Sequence, residues 1–143
     1  MTSLSGCYTL CWMYYFAYAS NLNRKQMAER APQAKARQSA VLPNYQIVFS
    51  GYSRAWQGAT ATIQAAGGER VAGGLYEVSE SELTRLEKYE GPEYRRINVR
   101  VFTDTNQAID AVTFIRARQE TEGKPSPAYL AVIRRGYEDW GLV

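Results

Sequence analysis

The stretch Tyr14-Tyr15-Phe16-Ala17-Tyr18-Ala19-Ser20-Asn21-Leu22-Asn23 decides how the rest of this 143-residue chain is read. Its aromatic opening suits a strand. The small and polar Ala19-Ser20-Asn21 suits a tight bend. A helical pattern follows at once from Asn23 to Ala31 and stops before Pro32, which pushes the residue ahead of it out of the helical region. The unit is therefore strand, short loop, helix start. Such a loop aims several backbone N–H groups at one spot, with the positive end of the helix dipole behind them, and suits a substrate carboxylate or phosphate. The plainer reading is an ordinary turn with Asn23 as N-cap and Gln26 as its capping-box partner. On residue chemistry alone the plainer reading has the stronger claim.

Outward from this unit the chain is mostly extended. Gln38–Ser50 gives two pieces split at Pro43-Asn44, the second alternating Tyr45, Ile47 and Phe49 with more polar neighbours. Gly51–Gly58 reads as a loop in which Arg54 and Trp56 are candidates to line a pocket, although a tryptophan beside glycine belongs to the core by default. Ala59–Gln64 is a strand, 66–69 a turn, and Arg70–Val78 another strand. Gly73-Gly74 within it suggests a bulge or a close backbone approach. Ser79 with Glu82 forms a capping box for a short helix from Glu80 to about Tyr89, with Leu83 and Leu86 inward and Gly91 as its stop. Tyr94–Thr103 and Ala108–Arg116 make a hairpin turning through 104–107. Glu120–Lys124 is polar and reads as mobile. Ser126 caps a last helix with Pro127 at its first position. Its buried side is expected to be Ala128, Leu130, Ala131, Val132 and Ile133, and Gly141 ends it. Roughly six strands and three helices, with neighbouring strands mostly antiparallel, imply an α+β domain.

Composition narrows the chemistry. Hydrophobic residues are 45% and charged residues 22% of the chain, ordinary for one globular domain able to bury a core. The net charge of +3 is spread rather than bunched, so nucleic acid is not the expected partner. The chain has no histidine and two cysteines. That excludes Ser-His-Asp and Cys-His sites and the usual zinc sets, so no metal and no cofactor is expected. An enzyme built from these residues must move protons with Asp, Glu, Lys, Tyr or Cys. Cys7 and Cys11 read as idle thiols in a tail, in a reducing, cytoplasmic setting. Residues 1–13 read as an extension ahead of a single 14–143 domain, with Met13 a candidate start. No basic residue precedes Arg24, so a secretory signal would lack its positive region. Ala17-Tyr18-Ala19 imitates a cleavage site, but cutting there would remove the first strand. The apolar run is too short to span a bilayer.

Four segments, in order, carry a family resemblance. Phe16-Ala-Tyr-Ala-Ser-Asn-Leu22 resembles the YGSN-type signature that opens the gamma-glutamylcyclotransferase-like (AIG2-like) family. Trp56-Gln-Gly-Ala-Thr-Ala-Thr-Ile63 resembles its central strand, and Leu86-Glu-Lys-Tyr-Glu-Gly91 the segment holding its catalytic glutamate. Pro125–Ile133, running on to Gly141, resembles its C-terminal helix. The resemblance implies a small, closed or nearly closed mixed β-barrel flanked by helices.

It also implies a site. Glu90 matches the family's general acid/base, whereas on residue chemistry alone Glu87, Glu90 and Glu93 all read as solvated carboxylates. Helix-end carbonyls and nearby aromatics should raise the pKa of Glu90. The implied reaction is intramolecular aminolysis of a gamma-glutamyl amine or amide, releasing 5-oxoproline and a free amine without a metal. Loop amides of Ala19, Ser20, Asn21 and Leu22 would hold the substrate's carboxylate, and Tyr18, Tyr94 and Tyr129 match positions that help line or close the site. For each tyrosine a half-buried core role is the alternative. Three residues depart from the family pattern. Ala19 stands where glycine is usual and costs energy there if φ is positive. Ala59 replaces a second glycine, and Phe114 stands where some members carry tyrosine. The alternative function on the same fold is a non-catalytic module binding a small anionic ligand or single-stranded nucleic acid.

Overall fold

A computed structural model describes residues 12–142. In chain order the elements are β1 (Met13–Ala17), a 3-10 helix (Ala19–Leu22), α1 (Arg24–Arg30), β2 (Lys35–Ser53), β3 (Gly58–Val78), α2 (Glu80–Glu90), β4 (Tyr94–Phe102), β5 (Ala108–Arg116) and α3 (Pro127–Asp139). The five strands close a barrel in the order β1-β3-β2-β4-β5. Every pairing is antiparallel except the closing one, where β1 meets β5 in parallel at Tyr15 and Val112. That one pair makes the barrel mixed, as the family resemblance implies. Cys7 and Cys11 lie outside the described residues, as does most of the 1–13 extension; β1 begins at Met13, paired with Val78.

The strands number five rather than roughly six because the chain runs on through both Pro43-Asn44 and 66–69, which read as breaks in the sequence but are bends. At Asn44, with φ 67°, the register jumps from Pro43 opposite Arg70 to Tyr45 opposite Ala65. Residues 66–69 bulge out against it, and Asn44 Oδ1 accepts the Gly68 N–H at 3.1 Å. A bulge of this kind bends a strand without ending it. One long, bent hairpin therefore supplies two walls of the barrel.

The apolar run of β1 is buried on both faces. Phe16 joins a cluster fed by all five strands, including Leu42, Ile63, Leu75, Val101 and Ala111, which fills the barrel. Tyr15 and Ala17, with the alternation of a strand, join a second cluster with Met27, Leu83, Leu86, Phe114 and Trp140, which lies between the barrel wall and the helices. Gly73 marks a close approach rather than a bulge. A β-carbon there would sit 2.3 Å from the Ala17 carbonyl oxygen and 2.6 Å from the Phe16 ring.

α3 departs from expectation in its facing. Ser126 Oγ accepts the Tyr129 N–H at 3.2 Å and Pro127 opens the helix, as read from sequence. Ala128, Leu130 and Ala131 face solvent, however. The inward side is Tyr129, Val132, Ile133, Gly136 and Trp140, spaced at three and four residues. The apolar run 130–133 is continuous, so composition alone gave no phase. Segment 120–124 is tied down rather than loose, through Thr121 O to the Gly51 N–H (3.0 Å), the Gly123 N–H to Phe49 O (3.1 Å) and Lys124 O to the Ala59 N–H (2.9 Å). Among the described residues no helix is long and apolar enough to cross a membrane.

Candidate active site

The residues that β1 delivers to its C-terminal end set the site. Tyr18 leaves the strand in extended geometry and caps the 3-10 helix without a side-chain bond. The first amides of that helix, at Ala19 and Ser20, thus lack intrahelical partners. Ala19 has φ 55°, the left-handed region, so alanine is strained where the family usually has glycine. Ala19→Gly is expected to stabilise the protein by about 0.5–1 kcal/mol, because relief of about 1–2 kcal/mol of backbone strain exceeds the loss of one buried methyl. Urea denaturation checks this; a less stable variant would show that the methyl's packing dominates.

Asn23 caps α1, accepting the Gln26 N–H at 2.9 Å. The capping box is only half formed. Gln26 Nε2 turns instead to Ser20 O and Asn21 Oδ1, both at 3.0 Å. Asn21 Oδ1 also takes Arg30 Nη1 at 3.2 Å. A guanidinium can only donate, so the Asn21 oxygen must face Arg30 and its amide nitrogen must face the other way. That nitrogen donates to Tyr15 Oη at 2.7 Å and to Glu90 Oε2 at 2.9 Å. Asn21 is buried with both side-chain N–H groups and its side-chain oxygen bonded, and it locks the loop to Glu90 across 69 residues of sequence.

Glu90 is the last residue of α2. Ser79 Oγ starts that helix by accepting the Glu82 N–H at 3.3 Å, and Gly91, with φ 93°, stops it with its N–H on Glu87 O. Here too the box is half formed, since the Glu82 carboxylate takes the Gln33 N–H at 3.2 Å. Burial raises the pKa of Glu90, opposed by the Asn21 hydrogen bond and by the charges of Arg30 and Arg116. The expected shift is present, and its main cause is burial rather than the helix end. Glu87 pairs with Arg96 at 2.8 Å, away from the cavity.

Glu90 opens into a cavity of about 690 Å³. Tyr18, Ala19, Ser20, Asn21, Tyr94 and Tyr129 line it together, as do Arg54, Trp56, Glu93 and Phe114. Leu22 does not. It is fully buried in the second cluster, and its carbonyl takes the Trp140 indole N–H at 2.8 Å, because the 3-10 turn rotates it away. The tyrosines combine both roles weighed for them. Tyr94 Oη donates to Ala61 O at 2.8 Å, while Tyr129 Oη accepts the Ala61 N–H at 2.9 Å and keeps its own proton to give. Burial pushes Tyr129 up to about 12, so the hydroxyl stays neutral and donating at physiological pH. Tyr18 Oη donates to Phe114 O at 2.6 Å, which leaves the Phe114 ring to pack on Tyr15 at 5.7 Å. Ala59 is buried with its methyl against the Gly123 position, so this departure from the family pattern fits.

Sequence reasoning missed Arg116. It lines the cavity opposite Tyr94, its register partner in the β4–β5 hairpin. The signal was present: a turn at 104–107 sets Phe102 against Ala108 and, counting back, Tyr94 against Arg116. Arg30 and Tyr15 were missed as well. Among the described residues no group of His, Cys, Asp and Glu side chains is arranged to hold a metal.

The chain is similar to known proteins. The family model for gamma-glutamyl cyclotransferase, AIG2-like, matches residues 15–136. Gamma-glutamylcyclotransferase from Homo sapiens is 31% identical over 135 residues, covering 90% of this chain and 71% of that protein. The Bos taurus protein of the same name is 33% identical over the same shares. A solved gamma-glutamyl cyclotransferase structure superposes with a TM-score of 0.87 at 29% identity, covering 92% of this chain and 81% of that one. With a family match that runs from the first strand into the last helix, the chain belongs to the gamma-glutamyl cyclotransferase, AIG2-like family.

Proposed function

We propose that this protein is a gamma-glutamyl cyclotransferase acting on a small gamma-glutamyl substrate, with Glu90 as its general acid/base. The observation that carries the reading is that Glu90 and the 19–21 loop, far apart in sequence, share one cavity and one hydrogen bond of 2.9 Å through Asn21. The relatives named above carry this activity in their names.

The chemistry needs little beyond placement and one proton carrier. The substrate's α-carboxylate sits on the free amides of Ala19 and Ser20. Glu90 takes a proton from the α-ammonium. The freed amine attacks the γ-carbonyl carbon, a new C–N bond forms, and the oxygen becomes an alkoxide held by donors of the wall, among them Tyr129 Oη. The amide C–N bond then breaks as the departing nitrogen receives the proton Glu90 had taken, and the ring nitrogen gives up its second proton through the again-ionised Glu90, so that the amine leaves as an ammonium. The products are 5-oxoproline and a free amine. Because nucleophile and carbonyl belong to one molecule, holding the folded conformer supplies much of the rate. A buried carboxyl with a raised pKa suits a group that must accept and then return a proton.

Incubation with a panel of gamma-glutamyl amino acids and amines, followed by detection of 5-oxoproline, tests the reading. Release from at least one substrate is expected, and silence across the panel would overturn it. The pH profile gives a second check. Glu90 must be ionised to start the reaction, so the acid limb of kcat/KM is expected above the ordinary glutamate value of 4.5. A limb at or below that value would remove Glu90 from the role of base.

A further inference from the structure

Arg116 is a cation in the cavity wall that forms no ion pair among the described residues. Its Nη2 donates to Ser50 O (3.0 Å), Thr60 Oγ1 (2.7 Å) and Tyr94 Oη (3.2 Å), and the guanidinium lies 4.9 Å from the Tyr94 ring centre. Its Nε is buried and has no hydrogen-bond partner among the described residues. None of the ion pairs among those residues includes it, although Glu90, Glu93 and Glu120 line the same cavity. A guanidinium N–H withdrawn from water without an acceptor is unfavourable, and an anion placed beside the group offsets that cost.

The seat is nonetheless built for this side chain. The Arg116 N–H is fixed by Thr62 Oγ1 at 2.9 Å. Gly51 leaves the room: a β-carbon there would lie 3.0 Å from Cζ and Nη1 and 3.1 Å from Nη2. Neutral acceptors and an aromatic face hold the group in place, and the charge remains for a ligand that presents a carboxylate.

We propose that Arg116 is a specificity-determining residue that binds a carboxylate of the substrate. The inference rests on the cyclotransferase reading. In that reading the amides of Ala19 and Ser20 take the α-carboxylate of the gamma-glutamyl group, so the carboxylate left for Arg116 belongs to the departing amine. The substrate is then a gamma-glutamyl amino acid or peptide rather than the gamma-glutamyl derivative of a plain amine. The cavity's volume, within the range that holds drug-sized ligands, accommodates such a leaving group.

Binding to a chain that cannot turn over separates the possibilities. In a Glu90→Gln background, calorimetry compares three ligands before and after Arg116→Gln. They are gamma-glutamylalanine, gamma-glutamylalaninamide, which lacks the leaving group's carboxylate, and 4-aminobutanoylalanine, which lacks the α-carboxylate. Loss of a charged hydrogen bond predicts about 100-fold weaker binding of gamma-glutamylalanine and of 4-aminobutanoylalanine, with gamma-glutamylalaninamide changed by less than about threefold. Arg116→Lys should restore part of the loss for the two carboxylate-bearing ligands, which a purely structural role would not do. If the amide ligand loses affinity instead and 4-aminobutanoylalanine does not, the carboxylate bound is the α-carboxylate, and the recognition chemistry stands with its source moved. Equal losses for all three ligands, or no loss for any, overturn the proposal. Release of 5-oxoproline by the wild type with a flat response to Arg116 sinks this inference alone. Neither release nor binding of any ligand sinks the cyclotransferase reading with it.

Discussion

Glu90→Gln is expected to cut 5-oxoproline release by about 10³-fold or more while leaving the fold intact, a loss at the scale of general acid–base catalysis. Glutamine keeps the size of the side chain and an oxygen to accept from Asn21, but it cannot take the α-ammonium proton or return one. The sign of the stability change distinguishes this from a structural defect. Burial raises the pKa of Glu90 in the folded state, so folding favours its protonated form. Below the unfolded value of about 4.3, carboxyls are protonated in both states and burial carries no penalty. As pH rises from there through the raised folded value, the native state must hold a buried charge and stability falls. Glutamine removes that penalty. The variant is therefore expected to be at least as stable as wild type near neutral pH, with the advantage shrinking toward pH 4. Thermal melts across pH, paired with the activity assay, read both quantities. An inactive variant that is also markedly less stable at neutral pH would mean that Glu90 is a structural pillar of the loop. Full activity in the variant would remove it from the chemistry.

Gly136→Ala is expected to be strongly destabilising although Gly136 lies outside the cavity lining. Gly136 lies buried in α3 where that helix crosses the end of the site loop. A β-carbon there would lie 2.6 Å from the Asn23 nitrogen and 2.8 Å from the Leu22 carbonyl carbon. These are backbone atoms, so no rotamer change relieves the clash. Overpacking of this kind costs about 3 kcal/mol, and the better helix propensity of alanine returns about 1 kcal/mol. The net loss of about 2 kcal/mol corresponds to a fall in Tm of roughly 7 °C for a chain of this size. The loop that must move also carries Asn21, so the hydrogen bond to Glu90 should lengthen and kcat fall with it. Melting and steady-state kinetics on one preparation test both parts. A variant within about 0.5 kcal/mol of wild type would show that α3 slides freely over the loop.

The two variants probe different sources of the same site, and the sequence disclosed them unequally. The strand, bend and helix of 13–30 were legible because aromatic residues, a small-residue bend, the Asn23 cap and Pro32 all act over a few residues. The Ser79 and Ser126 caps and the β4–β5 hairpin were legible for the same reason. Glu90 stood out only through a family likeness, since as a residue type it is the same as Glu87 and both lie within two positions of Lys88 on the same helix.

What sequence could not decide was phase and distance. The apolar run 130–133 is compatible with several faces of a helix; contact with the 19–23 loop, which demands the missing side chain of Gly136, selects the one that turns Leu130 outward. Pro43-Asn44 and 66–69 look like breaks because both carry turn residues, yet pairing across the barrel carries the chain through them as one bent hairpin. Leu22 looked like part of the cradle from its place in the motif, and the 3-10 turn sends it into the core. Local propensity and capping thus set which pieces form. Only closure of the barrel brought Asn21, Glu90 and Arg116 around one cavity, because hydrogen bonds between residues dozens of positions apart exist only after the sheet has joined its own edges.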